Sequence, residues 1–102
     1  MHTLLAAPVV LLAASVSSPD DVRERVERAP KEVAAFIERR ANCNHFLGEE
    51  RYDRERAAYI DRAVRKLRCH RLEQDESRLR RAYRDDPAIL ALLDETADSL
   101  GW

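Results

Sequence analysis

Residues 53–84 read DRERAAYIDRAVRKLRCHRLEQDESRLRRAYR, 32 positions without a glycine or a proline. Nothing in this stretch alternates apolar and polar residues with the period of two that a half-buried strand requires. Instead Ala57, Ile60, Val64 and Leu67 recur at spacings of three and four, which lines them along one side of a helix. Asp53 stands in front of them as a candidate N-cap, its carboxylate available to the first free backbone N–H groups. Beyond Leu67 the phase slips. Leu72, Leu79 and Tyr83 lie well over a quarter-turn from the first stripe. Either the helix breaks near Cys69–Asp75 or it turns a new face to a different neighbour. Both outcomes make the fold class all-α.

The flanking segments repeat the pattern. Ser18-Pro19-Asp20-Asp21 is a helix start, with serine as cap, proline at the first helical position and acids facing the positive end of the dipole. Only Val22 and Val26 are apolar in the helix that follows, so it is marginal. Pro30 opens a second piece, where Val33, Phe36, Ile37 and Cys43 share a broad face. Asn42, Asn44 and Gly48 favour its end between about 42 and 48. Asp86-Pro87 starts a short terminal helix carrying Ile89, Leu92, Leu93 and Leu100, and Gly101 suits its end. The expectation is a small bundle of three to four helices with one disulfide, occupying residues 18–102 as one domain.

Composition divides the chain in two. The 102 residues are 45% hydrophobic and 36% charged with a formal net charge of −1, yet nothing before Asp20 is charged. Leu4 to Ala14 is an apolar run broken only by Pro8, too short for a transmembrane helix and matched to the core of a signal peptide. Ala13 and Ser15, or Ser15 and Ser17, supply small residues before a cleavage point. Residues 1–17 are therefore read as a signal peptide, and the mature chain as periplasmic or secreted, without stable membrane insertion after cleavage. Cys43 and Cys69, the only two cysteines, read as one disulfide in such a compartment.

A disulfide at these positions constrains the fold. Cys69 lies about 16 residues into the long helix, roughly 24 Å from its start. To meet Cys43, either residues 44–52 run back along the long helix as a packed loop carrying Phe46, Leu47 and Tyr52, or the helix kinks near Cys69.

Charge is segregated along the mature chain. Residues 20–53 have a net charge of −2, residues 54–84 of +6 and residues 85–102 of −5. The simplest arrangement folds the acidic terminal helix back on Arg78, Arg80, Arg81 and Arg84, with Asp61–Arg65 and Glu76–Arg80 adding pairs along helix faces. The same arginine-rich helix offers a contact for an anionic surface, because 16 of the 18 basic residues are arginine. Nucleic acid is not the expected partner of an exported chain of isoelectric point about 6.3.

Little in the sequence carries catalytic chemistry. There is no C-x-x-C-H, G-x-S-x-G, H-E-x-x-H or phosphate-binding loop. Cys43, His45, Cys69 and His70 form a conceivable metal-ligand set, but their spacings do not match the usual zinc patterns and a disulfide competes for the sulfurs. No cofactor is expected. His45 with Glu49 or Glu50 is the one acid–base pairing within reach, better read as a contact fixing the connector. Trp102 either packs on the last helix or serves a partner.

The string Cys43-Asn44-His45-Phe46-Leu47-Gly48-Glu49-Glu50-Arg51-Tyr52-Asp53, with Cys69 and the run from Leu79 to Pro87, resembles a group of uncharacterised small exported proteobacterial helical proteins. That resemblance implies a secreted helical module and brings no activity with it. By architecture rather than motif, a short, cysteine-paired, Arg/Glu-rich exported chain is also similar to LprI-type lysozyme inhibitors. The reading is an exported, non-enzymatic protein acting on an envelope protein, with His45, Phe46, Glu49, Glu50, Tyr52 and the four arginines as candidate contacts. Alternatives are an inhibitor of a lysozyme-like cell-wall hydrolase, presenting His45, Glu49 and Glu50 to an enzyme cleft, or a metal-binding module.

Overall fold

A computed structural model describes residues 19–98. The signal peptide read over residues 1–17, the Ser18 cap, and Leu100, Gly101 and Trp102 lie outside the described residues. Within them the fold is all-helical: α1 (Pro19–Arg28), α2 (Lys31–Leu47), α3 (Arg54–Lys66), a 3-10 turn (Cys69–Arg71), α4 (Leu72–Ala82) and α5 (Pro87–Glu95). No described helix is long and apolar enough to cross a membrane.

The caps anticipated from sequence are made. Asp53 is extended (φ −149°) and its Oδ1 accepts from the Arg56 N–H at 2.7 Å, starting α3. Asp86 does the same for α5, accepting from the Ile89 N–H at 3.2 Å, with Pro87 at the first helical position. Helix α2 ends at Leu47, inside the expected interval, with Gly48 as its C-cap.

Five helices replace the expected three to four because the long stretch is broken at Arg68. Its backbone is left-handed (φ 53°, ψ 49°), the single positive-φ non-glycine residue in the described chain. Its N–H reaches the Arg65 carbonyl at 3.0 Å, the inner bond of the ending that glycine usually makes at the C-terminus of a helix. An L-residue adopts this conformation at a cost of about 1–2 kcal/mol, so the surroundings must impose it. The adjacent residue supplies the constraint: Cys69 is bonded to Cys43 of α2, with Cα atoms 5.7 Å apart.

This kink answers the question of how the disulfide closes, and it corrects the packed-loop expectation. Phe46 and Leu47 belong to the last turn of α2, Leu47 is 58% exposed and Tyr52 is 72% exposed. The connector does not run back along α3. Instead the chain turns at Arg68, and α4 continues antiparallel along α2, as three polar links show. Asp75 meets Arg39, Glu76 meets Arg40 and the Tyr83 hydroxyl donates to Glu32, at 2.5, 2.8 and 2.6 Å.

The core lies between α1, α2, α4 and α5. Val26, Val33, Phe36, Ile37, Leu79, Ile89, Leu92 and Leu93 form one buried cluster, with Val22, Ala29, Ala34, Leu72 and Tyr83 packed at its edge. Each large apolar side chain of this kind contributes about 1.5–3 kcal/mol on burial. Among the described residues α3 adds nothing to that cluster; its one buried side chain is Ile60.

Arg40 sits at the seam of the core, 5% exposed. One guanidinium nitrogen donates to Glu76 of α4 at 2.8 Å. The other donates to the Leu93 carbonyl of α5 at 2.7 Å and to the Thr96 hydroxyl at 2.9 Å. Thr96 passes the link on by donating to the Leu92 carbonyl at 2.7 Å. The guanidinium also lies over the Phe36 ring, 5.1 Å from its centroid. Replacing Arg40 by alanine removes the cation from a half-buried carboxylate and a buried carbonyl at once. Urea unfolding of the oxidised chain should show a loss of about 2–4 kcal/mol, and a loss below about 1 kcal/mol would contradict a structural role for this contact.

Candidate functional site

Two groups of polar residues need to be told apart, those already satisfied inside the molecule and those left facing outward. The α2–α3 elbow belongs to the first. His45 and Glu49 are one turn apart at the end of α2, and their side chains meet at 2.8 Å. The second oxygen of Glu49 accepts from the Arg56 guanidinium across the elbow. Arg56 in turn lies over the Tyr59 ring, 5.0 Å from its centroid, and Tyr59 meets the edge of Phe46 at a centroid distance of 5.9 Å. His45 packs edge-on against Phe46 as well, at 5.3 Å. The hydrogen bond from Arg56 holds the Glu49 carboxyl below the usual range.

Of the sequence-derived contact residues, His45, Phe46 and Glu49 are thus joined in one cluster. Glu50 and Tyr52 are exposed on the connector beside it. His45 and Glu49 brace the elbow through Arg56 of α3, with His45 against Phe46. Arg51 adds a second brace by pairing with Asp61 at 2.5 Å, which takes Asp61 away from the anticipated Arg65.

The four arginines of the second half have different fates. Arg80 bridges Glu76 at 2.9 Å and Asp94 of α5 at 2.7 Å, the fold-back contact expected for the acidic terminal helix. Arg78 pairs with Asp75 on its own helix at 3.3 Å, and Arg84 only grazes its neighbour Asp85 at 4.0 Å. Arg81 is exposed. The rest of α5 is tied elsewhere: Glu95 pairs with Arg25 of α1 at 2.6 Å, and Asn44 of α2 donates to the Ala97 carbonyl at 3.1 Å. The expectation that α5 lies on all four arginines therefore holds for Arg80 alone.

The densest group of outward-facing cations lies elsewhere, and sequence reasoning passed over it. Arg62, Arg65, Lys66, Arg68 and Arg71 are all exposed, and among the described residues none is within ion-pair distance of a carboxylate. Arg71 acts on Asp75 only at longer range. These five residues and His70 surround the disulfide-bonded kink in a segment, 62–72, that holds no acid. The signal was present as that acid-free run, but averaging over residues 54–84 mixed it with the internally paired arginines of α4.

The four-residue metal set does not survive as thiolates, because Cys43 and Cys69 are bonded to each other and no free cysteine remains. Among the described residues, no three His, Cys, Asp or Glu side chains are placed to hold a metal ion.

Asp75, beneath the kink, is 6% exposed and bonded to Arg39, which is the first cause of its lowered pKa; nearby Arg78 and Arg71 reinforce it. Compared with known proteins, the chain matches no family model, no curated protein and no solved structure. The lowered carboxyls of Asp75 and Glu49 give a signed pH dependence. A group held below its unfolded value stabilises the fold above the unfolded pKa, and that stability is lost as pH falls through the folded one. Carboxyl ¹³C titration should place both midpoints below the ordinary aspartate and glutamate values, Arg39→Gln should raise that of Asp75, and stability should fall on acidification below about pH 4. Ordinary midpoints for both groups would contradict the ion-pair geometry.

Proposed function

We propose that this protein is exported to the periplasm or beyond, is held oxidised by Cys43–Cys69, and acts without catalysis by binding an acidic protein in the cell envelope. The observation that carries this reading is the cation cluster Arg62, Arg65, Lys66, Arg68 and Arg71, exposed and without close carboxylates. Elsewhere most arginines are paired: Arg25, Arg39, Arg40, Arg51, Arg56 and Arg80 all reach a carboxylate, and Arg23, Arg54 and Arg81, which do not among the described residues, lie on three different helices. Five such cations within residues 62–71, with no acid among them, favour a partner outside the fold.

Arginine favours carboxylates through its planar fork, and a cluster of one sign raises the rate at which an oppositely charged partner is met. The surface does not suit a basic hydrolase, which it would repel. The elbow residues that a hydrolase inhibitor would insert are engaged too, with Glu49 bonded to both His45 and Arg56. Undiminished lysis in the presence of stoichiometric oxidised protein is therefore the expected result with lysozyme.

The direct test places a photo-crosslinking residue at Arg65, in the cluster, or at Glu27, on α1, in cells making the full chain with its leader. The expected outcome is a discrete protein adduct from position 65 and none from position 27, recovered with the mature, oxidised chain in the periplasmic fraction. Any other pattern of adducts overturns the proposal.

A further inference from the structure

A groove of about 510 Å³ runs between the C-terminal half of α2 and α3. Phe46, Tyr59, Ala63 and Leu67 form its apolar walls, while Arg62 and Lys66 stand exposed along one edge. Among the described residues no carboxylate lines it. The volume lies within the roughly 300–1,000 Å³ of pockets that take a few apolar groups and fix them with a small number of polar ones.

The walls are held in place before anything binds. Phe46 and Tyr59 meet edge to face, Arg56 covers the Tyr59 ring, and Glu49 fixes Arg56. At the far end Leu67 is one residue from the left-handed Arg68 and two from the disulfide, so the covalent tie sets that end of the groove. Tyr59, Arg62 and Lys66 are spaced at i, i+3 and i+7, about two turns and roughly 10 Å of one helix face.

We infer that this groove receives a short acidic amphipathic helix of the protein partner, an inference that rests on the reading of the preceding section. Apolar residues one turn apart on such a helix would enter between Phe46 and Leu67, as in other helix-in-groove contacts. Carboxylates flanking them would reach Arg62, by a paired hydrogen bond, and Lys66 as a point charge. The charge of the edge and the absence of acid from the lining select the sign of the ligand. The shape selects its class. Phe46, Ala63 and Leu67 are half-buried between two helices and only Tyr59, 46% exposed, stands at the rim, whereas a lipid surface calls for several protruding apolar side chains, and exposed Leu47 and Tyr52 do not line the groove.

The oxidised full chain is titrated with a fluorescent peptide of about fifteen residues, bearing leucines at i and i+4 flanked by glutamates. Vesicles of phosphatidylglycerol and phosphatidylethanolamine are titrated in parallel. Two variants are compared after circular dichroism has shown unchanged helicity: Ala63→Phe, which fills the groove and keeps its charge, and Arg62→Glu/Lys66→Glu, which reverses the edge. The peptide should bind, each variant should weaken it by at least about tenfold, and the vesicles should not bind. Peptide affinity indifferent to both variants overturns the groove. So does vesicle binding lost on charge reversal without peptide binding, which would make the surface a membrane contact. The two levels of the account separate in cells. An Arg65 adduct that survives Ala63→Phe rejects the groove and leaves the protein-partner reading intact, whereas no adduct from the unaltered chain rejects both.

Discussion

The arrangement of the core depends on a single guanidinium. Arg40 is almost fully buried, and a buried cation is tolerated only where its hydrogen bonds are met. Glu76 of α4, the Leu93 carbonyl of α5 and the Thr96 hydroxyl just beyond α5 satisfy its two terminal nitrogens, and only Nε is left without a partner among the described residues. The ring then closes on itself, because Glu76 also bonds Arg80, and Arg80 reaches Asp94 on α5. Four charged side chains thus hold three helices in one register around Phe36. A pair of this kind adds little net stability over a well-packed apolar substitute, but any other docking of α4 or α5 would strand a charge in the core. Apolar contacts supply the driving force, and Arg40 selects among the ways of making them.

Helix α3 lies outside that arrangement, and this explains how surface charge is distributed. It places no residue in the main cluster and is fastened by Ile60, by the elbow contacts of Glu49 and Arg56, and at its far end by the Cys43–Cys69 bond. The chain-entropy estimate for closing 26 residues is about 3.5 kcal/mol. In a domain this small, typical total stability is only about 5–15 kcal/mol, so the bond is a large share. Arg78 and Arg80 of α4 pair with carboxylates on α4 and α5, and Arg39 and Arg40 of α2 pair with carboxylates on α4. Arg62, Arg65 and Lys66 of α3, with Arg68 and Arg71 at the kink, face outward with no carboxylate within ion-pair distance among the described residues. Most of the net charge of +6 over residues 54–84 thus lies in residues 62–72, which carry five cations and no acid.

Much of this was legible in the sequence where a local rule decides the outcome. Asp53, Asp86 and Pro87 mark helix starts by chemistry that acts within one turn, and the faces of α2 and α5 follow from apolar spacing. The kink was legible only as a slip in phase between Leu67 and Leu72. No glycine or proline marks it, because the left-handed Arg68 is imposed by a covalent tie to a residue 26 positions earlier. Burial of charge was missed for a similar reason. Arg40 continues the Val33–Ile37 face at spacings of four and three, and Asp75 falls between Leu72 and Leu79 on one face of α4. Position placed both inside. Residue type suggested the surface, and tertiary pairing with Glu76 and Arg39 resolved the conflict in favour of position. Phe46 and Leu47 were assigned to a loop because Asn42 and Asn44 weaken the helix locally, yet α2 runs on to Leu47.

Arg40 closes the core and the disulfide holds the outer helix to α2, so the two parts should separate when the bond is cut. Native-state hydrogen exchange on the oxidised and reduced chains tests this most directly. Reduction should strip protection from amides of α3 and the kink while those of α2, α4 and α5 retain most of theirs. Loss of protection from all helices together, or undiminished protection in α3, would contradict it.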